Sequence, residues 1–322
     1  MHVGNGAITP ECAAITYTAA VAGLGAAVYS LRRTSTQPRM WAMAGALGAA
    51  VFAAQMINVP VLSYASAHLV GGVLLAWVLG AELGALTMAV VLTAQALLLG
   101  DGGLMALGAN IVNMSLLPAV LTAAVRGRIS ETASSSVQGA AVAATAALAV
   151  LGGALLVVAE TAMAGGGDLG RFAGQMMVSH SWIGLIEGAA TVALVLAVSR
   201  SLRRLDAQPS NARLAGAALS AALLIVVALP LASNLPDGYE AAAESTGWGR
   251  ILADEGDRLA SLGGVNVAVS GFQQRIVASV ESLLGGGQLL ALVAASLVGL
   301  TCLALAALAS SRRLAPVPIA KR

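Results

Sequence analysis

The chain has 322 residues, of which 58% are hydrophobic and 10% charged, with a formal net charge of +2 and a mean hydropathy of +0.86. These values exclude an ordinary soluble globular domain, whose helices and strands would carry a polar face. Here the apolar runs are apolar all round and about twenty residues long, which is the length that crosses a bilayer as a helix. The sequence therefore predicts an all-α polytopic membrane protein with no nucleic-acid partner.

Apolar windows between charged, Pro or Gly breaks predict nine spans in chain order. They cover residues 12–31, 40–60, 68–80, 83–99, 105–125, 137–159, 180–199, 213–233 and 288–309. The third window is short, which is typical of a segment that is tilted or that stops inside the membrane under cover of protein. A polar stretch at 200–213 separates seven spans from two. We therefore predict a seven-helix bundle in residues 1–205, and a two-helix C-terminal unit in residues 212–322 with an acidic extracytoplasmic loop at about 234–287.

The basic residues indicate the orientation. If odd-numbered spans run from outside to inside, the cytoplasmic loops and tail collect all of the 17 Lys and Arg residues except Arg171, Arg250, Arg258 and Arg275. Cytoplasmic loops carry such an excess. We expect an inner-membrane, multi-pass protein with its N-terminus outside and its C-terminus in the cytoplasm.

The chain start offers a nitrogen-rich site. The first basic residue is Arg32, so the charged leader of a signal peptide is missing, and the large side chain of His2 favours retention of Met1. The Met1 amine, the backbone nitrogen of His2 and its imidazole can chelate one cation, and His68 can fill a fourth position. Four nitrogens in a plane suit Ni(II) or Cu(II), and imidazoles also accept Co(II). Because these groups must shed protons, affinity should weaken below about pH 6 to 7.

Three further residues are candidates for contacts around such a site. Asp101 lies in the turn Gly100–Gly103 and is a candidate acceptor for a ligating histidine. His180 is expected at the start of span seven, where it orients the helix start or reaches Glu187. A glutamate within a span, such as Glu187, is usually functional or paired. The alternative for all three histidines is an interfacial residue hydrogen-bonded to loops.

Catalytic motifs are missing from the sequence. Lys321 is the only lysine, so no Gly-x-x-x-x-Gly-Lys phosphate loop exists, and neither His-Glu-x-x-His, Gly-x-Ser-x-Gly nor Cys-x-x-Cys occurs. We expect no enzyme activity and no cofactor. Polar residues within the spans are more typical of ties between helices, and they are Gln55, Asn58, Gln95, Asn110 and Asn113.

Several stretches in one order resemble the CbiM/NikM family, the substrate-capture subunits of energy-coupling-factor importers for cobalt and nickel. They are Met1-His2-Val3 with Gly6, residues 54–58, 67–72, 100–104 and 108–110, and His180 with Ile183, Gly184 and Glu187. The tail from about 212 resembles the small partner subunit of these importers, with Pro236-Asp237-Gly238-Tyr239-Glu240 where Pro-Asp-Gly-Leu-Glu is usual. Two residues depart from the family pattern, namely Asn5, where Asp is common, and Tyr239.

This resemblance implies that Met1, His2 and His68 hold the metal, which is nickel or cobalt as transported substrate. It implies a fused M–N chain whose partners are a transmembrane coupling subunit and cytoplasmic ABC ATPases, which hydrolyse the ATP. Two functional alternatives stay open, a cobalt importer subunit serving cobalamin biosynthesis and a metal-independent membrane scaffold or channel. An intramembrane hydrolase built on His180 and Glu187 is more distant, because no nucleophile lies at suitable spacing.

Overall fold

The computed structural model describes residues 2–34, 38–130, 132–164, 167–204, 233–248 and 264–284. These residues are mostly helical. In chain order the helices are α1 Pro10–Arg33, α2 Pro38–Gln55, α3 Gly72–Leu79, α4 Ala81–Ala94, α5 Leu107–Ile111, α6 Leu117–Arg126, α7 Ser135–Ala164, α8 Leu169–Arg204, α9 Gly238–Ser245 and α10 Gly264–Leu284. Two strands, β1 Val59–Leu62 and β2 Ala65–Ala67, and a short 3₁₀ turn, Asn5–Ala7, complete the described elements.

Five of the described helices are long and apolar enough to cross a membrane, namely Pro10–Arg33, Ala81–Leu99, Leu107–Arg126, Ser135–Ala164 and Leu169–Ser199. The helical, multi-pass character expected from hydropathy is confirmed. The predicted layout of seven plus two spans stays a prediction, since residues 213–232 and 288–309, which cover nearly all of the last two spans, lie outside the described residues.

Three predicted boundaries were wrong. Helix α2 ends at Gln55 rather than continuing to residue 60, because the chain turns there into the antiparallel hairpin β1–β2. Helix α3 begins at Gly72, which leaves His68 in the connection that follows β2. Helix α8 begins at Leu169 and not at 180, so His180 lies well inside it.

Helix α1 begins where its sequence provides a cap and a proline. The Thr9 side chain accepts the backbone N–H of Cys12 at 3.2 Å, and Pro10 occupies the first turn, where its missing N–H costs nothing. Arg32 and Arg33 close the last turn, where cations favour the negative end of the helix dipole. At the start of the helix, the extended backbone of Thr9 turns the preceding segment away from the helix axis.

Two long apolar helical segments, which we call rods, flank an irregular loop. The first comprises α4 and a π-helical turn, Gln95–Leu99, and the second runs from α5 through another π-helical turn, Val112–Leu116, into α6. π-Helical turns frequently mark functional sites in helices. The loop between the rods, residues 100–106, lies at the same end of the bundle as His2 and His68. We call this the histidine end.

The hydrophobic core joins the chain start to distant helices. It includes Val3 and Ile8 from the segment before α1, Met114 and Phe172 from the bundle, and Trp248 from beyond α9. The described part of the C-terminal region thus packs on the histidine end as part of the same core.

A candidate metal centre at the histidine end

Residues 2–8 form a buried tail that is threaded into the bundle. Val3 and Ile8 are fully buried. The Asn110 side chain binds both backbone groups of Val3, accepting its N–H at 2.9 Å and donating to its carbonyl at 3.1 Å. The Gly103 N–H also donates to the Val3 carbonyl, at 2.9 Å. This ladder of hydrogen bonds sets the position of His2, whereas Met1 lies outside the described residues.

The tail passes so close to the loop that residue 103 has to be glycine. A Cβ atom there would overlap the backbone nitrogen and side chain of Asn5. Gly103 is also followed by Leu104 and Met105, and the Met105 N–H donates to the Asn5 side-chain oxygen at 2.8 Å. The close approach of two backbones is what this glycine permits.

The imidazole of His2 contacts Asp101. Its Nδ1 lies 3.2 Å from Asp101 Oδ1. Its buried Nε2 makes no hydrogen bond of good geometry among the described residues, although the Gln95 side chain lies near enough to the ring to affect its pKa. Because a carboxylate accepts and does not donate, the contact with Asp101 favours the tautomer of neutral His2 that carries its proton on Nδ1 and a lone pair on Nε2. Burial lowers the pKa of His2, and Asp101 only partly opposes that effect.

The ring of His68 stacks on the ring of His2. The centroids are 5.3 Å apart and the planes differ by 22°. His68 Nδ1 lies 3.0 Å from the Leu69 carbonyl, which can only accept, so this ring also keeps its proton on Nδ1 and its lone pair on Nε2. Burial lowers the pKa of His68 to about 4, with contributions from nearby positive charge and from His2. Both imidazoles are therefore neutral near pH 7, the form that binds a metal.

Glu187 fixes the backbone immediately after His68. Its carboxylate accepts the N–H groups of Val70 and Gly71, each at 2.9 Å. Gly71 has a φ of +76°, which favours glycine, and it caps α3. The predicted contact between His180 and Glu187 was wrong, because the Glu187 carboxylate binds the backbone N–H groups of Val70 and Gly71 instead. These hydrogen bonds hold the backbone next to His68 and so help to position its ring.

Two glutamines add to this support. The Gln55 Nε2 donates to the Val70 carbonyl at 2.8 Å, and the Gln95 Nε2 donates to the Gln55 Oε1 at 2.9 Å. Gln95 belongs to the π-helical turn below the loop. The expectation that these glutamines tie helices together is confirmed.

His180 is buried, and its Nδ1 lies 2.8 Å from the Met176 carbonyl one turn back along α8. It does not mark a helix start, because α8 begins at Leu169. It lines a small cavity of about 10 Å³ together with His68 and Asp237. A volume of this size is close to that of one water molecule.

Asp237 reaches this cavity from the C-terminal region. Residues 233–237 run beside β2, where the Ser66 N–H donates to the Pro236 carbonyl at 2.8 Å and the Ser66 hydroxyl donates to the Leu235 carbonyl at 2.6 Å. Asp237 then caps α9, accepting the N–H groups of Tyr239 and Glu240 at 2.8 and 2.9 Å. The interpretation of Pro236-Asp237-Gly238 as ordinary turn chemistry missed its position beside His68 and His180.

The carboxyl of Asp237 is held in its ionised form. Burial opposes ionisation, yet neighbouring positive charge and the Glu240 N–H bring the pKa of Asp237 below its usual range. Burial and the charge of Asp237 raise the pKa of Glu240, whose side chain in turn accepts the Asp237 N–H at 2.9 Å. This reciprocal arrangement is a capping box, signalled in sequence by Asp followed three residues later by Glu.

A larger cavity of about 610 Å³ lies between the tail, the loop and helices α9 and α10. Its lining includes His2 and four carboxylate side chains, those of Asp101, Glu240, Glu244 and Glu281. The acidic loop expected from the sequence thus lies partly at the histidine end.

Within the described residues, no group of three or more His, Cys, Asp or Glu side chains has the geometry to hold a metal. The side chains that the structure brings together are two imidazoles and the acceptors that orient them.

Comparison with known proteins gives a consistent result. Residues 2–205 match the family model for CbiM, described as the cobalt uptake substrate-specific transmembrane region. A truncated transition metal transporter of known structure superposes with a TM-score of 0.54 and 27% identity, over 62% of this chain and 99% of that one.

Three curated relatives carry transport names. A putative fused nickel transport protein NikMN of Archaeoglobus fulgidus is 44% identical over 36% of this chain and 38% of its own length. A probable fused nickel transport protein LarMN of Lactiplantibacillus plantarum is 35% identical over 36% of each chain. The cobalt transport protein CbiM of Lachnoclostridium phytofermentans is 31% identical over 36% of this chain and 47% of its own length. The matches thus span about a third to a half of these relatives.

Proposed function

Because this chain belongs to the CbiM family, we propose that it is the substrate-specific component of an energy-coupling-factor ABC importer, which captures Ni²⁺ or Co²⁺ from outside the cell. The proposed ligands are the Met1 amine, the backbone nitrogen and imidazole of His2, and the imidazole of His68. The ion is cargo, and the chain performs no chemistry on it.

The observation that carries the proposal is that each of the two stacked histidines presents its Nδ1 to an oxygen acceptor. Asp101 Oδ1 lies 3.2 Å from the His2 Nδ1, and the Leu69 carbonyl accepts a hydrogen bond from the His68 Nδ1. Both arrangements favour the tautomer that keeps an Nε2 lone pair for another partner. The Nε2 of His2 is buried without a hydrogen bond of good geometry among the described residues, which is costly unless something binds it. Histidine ligands of metals are oriented in this manner, through a hydrogen bond from the opposite nitrogen.

The ligand chemistry favours a late transition metal. Neutral imidazole and amine nitrogens suit nickel, copper and cobalt better than calcium or magnesium, which prefer oxygen. Nickel is favoured by the fused nickel transport proteins among the relatives, and cobalt by the description of the matching family. Cobalt uptake that serves cobalamin biosynthesis is therefore the second candidate.

In this proposal residues 1–205 form the metal-binding domain, residues 212–322 form an N-type unit, and the histidine end faces outside. Arg33 and Arg126 close α1 and α6 at the opposite end, in keeping with a cytoplasmic location for that end in the inner membrane. A transmembrane coupling subunit and ABC ATPases supply the energy, since the sequence has no phosphate loop of its own.

The decisive experiment extends the chain start by one alanine that is retained in the purified protein. We expect calorimetry to show tight Ni²⁺ binding by the wild type and none by the extended protein, since the extension moves the free amine away from His2. A second alanine-insertion variant, placed in the stretch 200–213, which is polar in sequence, serves as a control for handling and folding. Undiminished affinity in the extended protein would reject the terminal-amine site, and a wild type that binds neither ion would favour a scaffold or channel.

Uptake of radiolabelled nickel and cobalt by cells, with and without the coupling subunit and ATPases, then tests the transport role. Uptake of one ion that depends on this chain identifies the cargo. Equal uptake in cells that lack the chain would reject the importer role.

A further inference from the structure

Gln273 lies in α10, in the C-terminal region, and is buried against the tail and the loop that carry the candidate site. Only 5% of its surface is exposed, whereas the neighbouring Gln274 is exposed and lines the 610 Å³ cavity. A long polar side chain is seldom buried to this degree unless its hydrogen bonds are satisfied.

All four hydrogen-bonding positions of the Gln273 amide are used. Its Oε1 accepts from the Asn5 Nδ2 and from the Leu104 N–H, both at 2.9 Å. Its Nε2 donates to the Ala96 carbonyl at 3.0 Å and to the Gly102 carbonyl at 2.7 Å. Because two partners are carbonyls and one is a backbone N–H, only one orientation of the amide fits.

These four bonds join the segments on both sides of His2. Asn5 belongs to the tail three residues after His2, and Gly102 follows Asp101, which contacts the His2 Nδ1. The tail and the loop are also linked directly, by the Gly103 N–H to the Val3 carbonyl. Gln273 therefore holds both the backbone that carries His2 and the loop that orients its ring, without touching the ring itself.

We propose that Gln273 is a positioning residue that latches the tail and loop around the captured ion and thereby slows its escape. The inference rests on the proposed function, because it assigns the C-terminal unit a part in metal retention at that same site. Release of the ion then requires Gln273 to break its hydrogen bond to Asn5 in the tail, or those to Gly102 and Leu104 in the loop.

The test uses the full-length protein and two variants with the same change of charge. Gln273→Glu keeps the shape and the accepting oxygen but sets its second carboxylate oxygen, in place of Nε2, against the Ala96 and Gly102 carbonyls. Gln274→Glu makes the same change at the exposed neighbouring position. Ni²⁺ dissociation into excess chelator and amide hydrogen exchange of residues 2–8 are measured for each protein. We expect dissociation to be about ten-fold faster in Gln273→Glu, equivalent to ~1.4 kcal/mol, with faster exchange in the tail, and both to stay within about two-fold of wild type in Gln274→Glu.

A second variant covers the case in which Gln273→Glu does not fold. Asn5→Ala removes the tail's side-chain bond to Gln273, and a double-mutant cycle with Gln273→Met measures the coupling between the two positions. The latch requires that the two changes together accelerate dissociation by clearly less than the product of the single effects. Additive effects, or unchanged dissociation in Gln273→Glu with a normal melting temperature, would overturn it.

The outcomes separate the latch from the function on which it rests. A wild type that retains nickel while Gln273→Glu releases it at the wild-type rate overturns the latch alone. A wild type that binds neither nickel nor cobalt overturns both.

Discussion

The rings of His2 and His68 stack with their centroids 5.3 Å apart, although 66 positions separate the two residues in the chain. The Nδ1 of each ring faces an acceptor, Asp101 at 3.2 Å for His2 and the Leu69 carbonyl at 3.0 Å for His68. Four consequences can be measured.

The first concerns the second imidazole. Replacing His68 by Gln removes one nitrogen ligand of the proposed site. Loss of a residue that only supports a ligand typically weakens metal binding by about 10- to 100-fold. Because His68 is itself a proposed ligand, we expect the affinity for Ni²⁺ to fall by at least about 100-fold. Calorimetric titration measures this. Tyr64→Phe, an exposed change in the turn of the hairpin that precedes His68, should leave the affinity unaltered. Equal affinities for all three proteins would remove His68 from the site.

The second concerns pH. An unfolded histidine titrates near pH 6.5, whereas burial lowers the pKa of His68 to about 4. Between these values the unfolded chain binds more protons, so the metal-free protein should lose stability as the pH falls from about 6.5 to about 4. Protons should accordingly begin to displace the metal from His68 only at a pH below the range of about 6 to 7 that the pKa of free histidine predicts.

Melting temperatures of the metal-free protein across that range test this effect. His68→Gln carries no titrating group at this position, so its melting temperature should decline less steeply than that of the wild type. Parallel curves for the two proteins would contradict a buried, neutral His68.

The third concerns Glu187. Its carboxylate accepts two backbone N–H groups beside His68, and Glu187→Gln replaces one accepting oxygen by a donor. We expect nickel affinity to fall by about 10- to 100-fold, which is typical when the support of a ligand is lost. Glu82→Gln is the matched control, because the Glu82 side chain accepts a hydrogen bond from the Ser30 hydroxyl rather than from the backbone beside His68. An effect of equal size in both variants would point to general destabilisation.

The fourth concerns Gly103. Gly103→Ala places a methyl group against the backbone nitrogen and side chain of Asn5, so the tail must move. We expect residues 2–8 to exchange amide hydrogens faster and nickel to bind at least about ten-fold more weakly, since backbone overlap is relieved only by displacement. Gly25→Ala, with nothing within 4 Å of the added atom, should behave as the wild type. A protected tail in Gly103→Ala would contradict the close approach.

Hydropathy and turn chemistry predicted much of the fold. The apolar windows at 83–99, 105–125 and 137–159 match the observed spans Ala81–Leu99, Leu107–Arg126 and Ser135–Ala164, because a span must be apolar along its whole length. The end of α2 was mispredicted because an apolar strand and an apolar helix have the same hydropathy. The start of α8 was mispredicted because its first turns contain polar residues such as Arg171 and Gln175, which an apolar window excludes. His180 was misplaced for that reason.

The sequence named several residues of the candidate site, but it did not predict how they are arranged. His2, His68 and Asp101 were named from residue type, position and resemblance, and the structure brings these three together. The role of Met1 stays a prediction. Asp237 and Gln273 were missed as neighbours of the site, although the Asp-x-x-Glu pattern signalled the helix that Asp237 caps.

The sequence by itself determined that the chain needs a bilayer and that its few histidines are candidates for metal ligands, because composition and apolar length are properties of the chain alone. Only the tertiary structure decided which nitrogen each imidazole presents, and that a glutamine 268 positions from Asn5 holds the tail. Hydrogen bonds between distant segments depend on how the helices pack, and a buried amide or imidazole takes its role from the partners that packing brings to it.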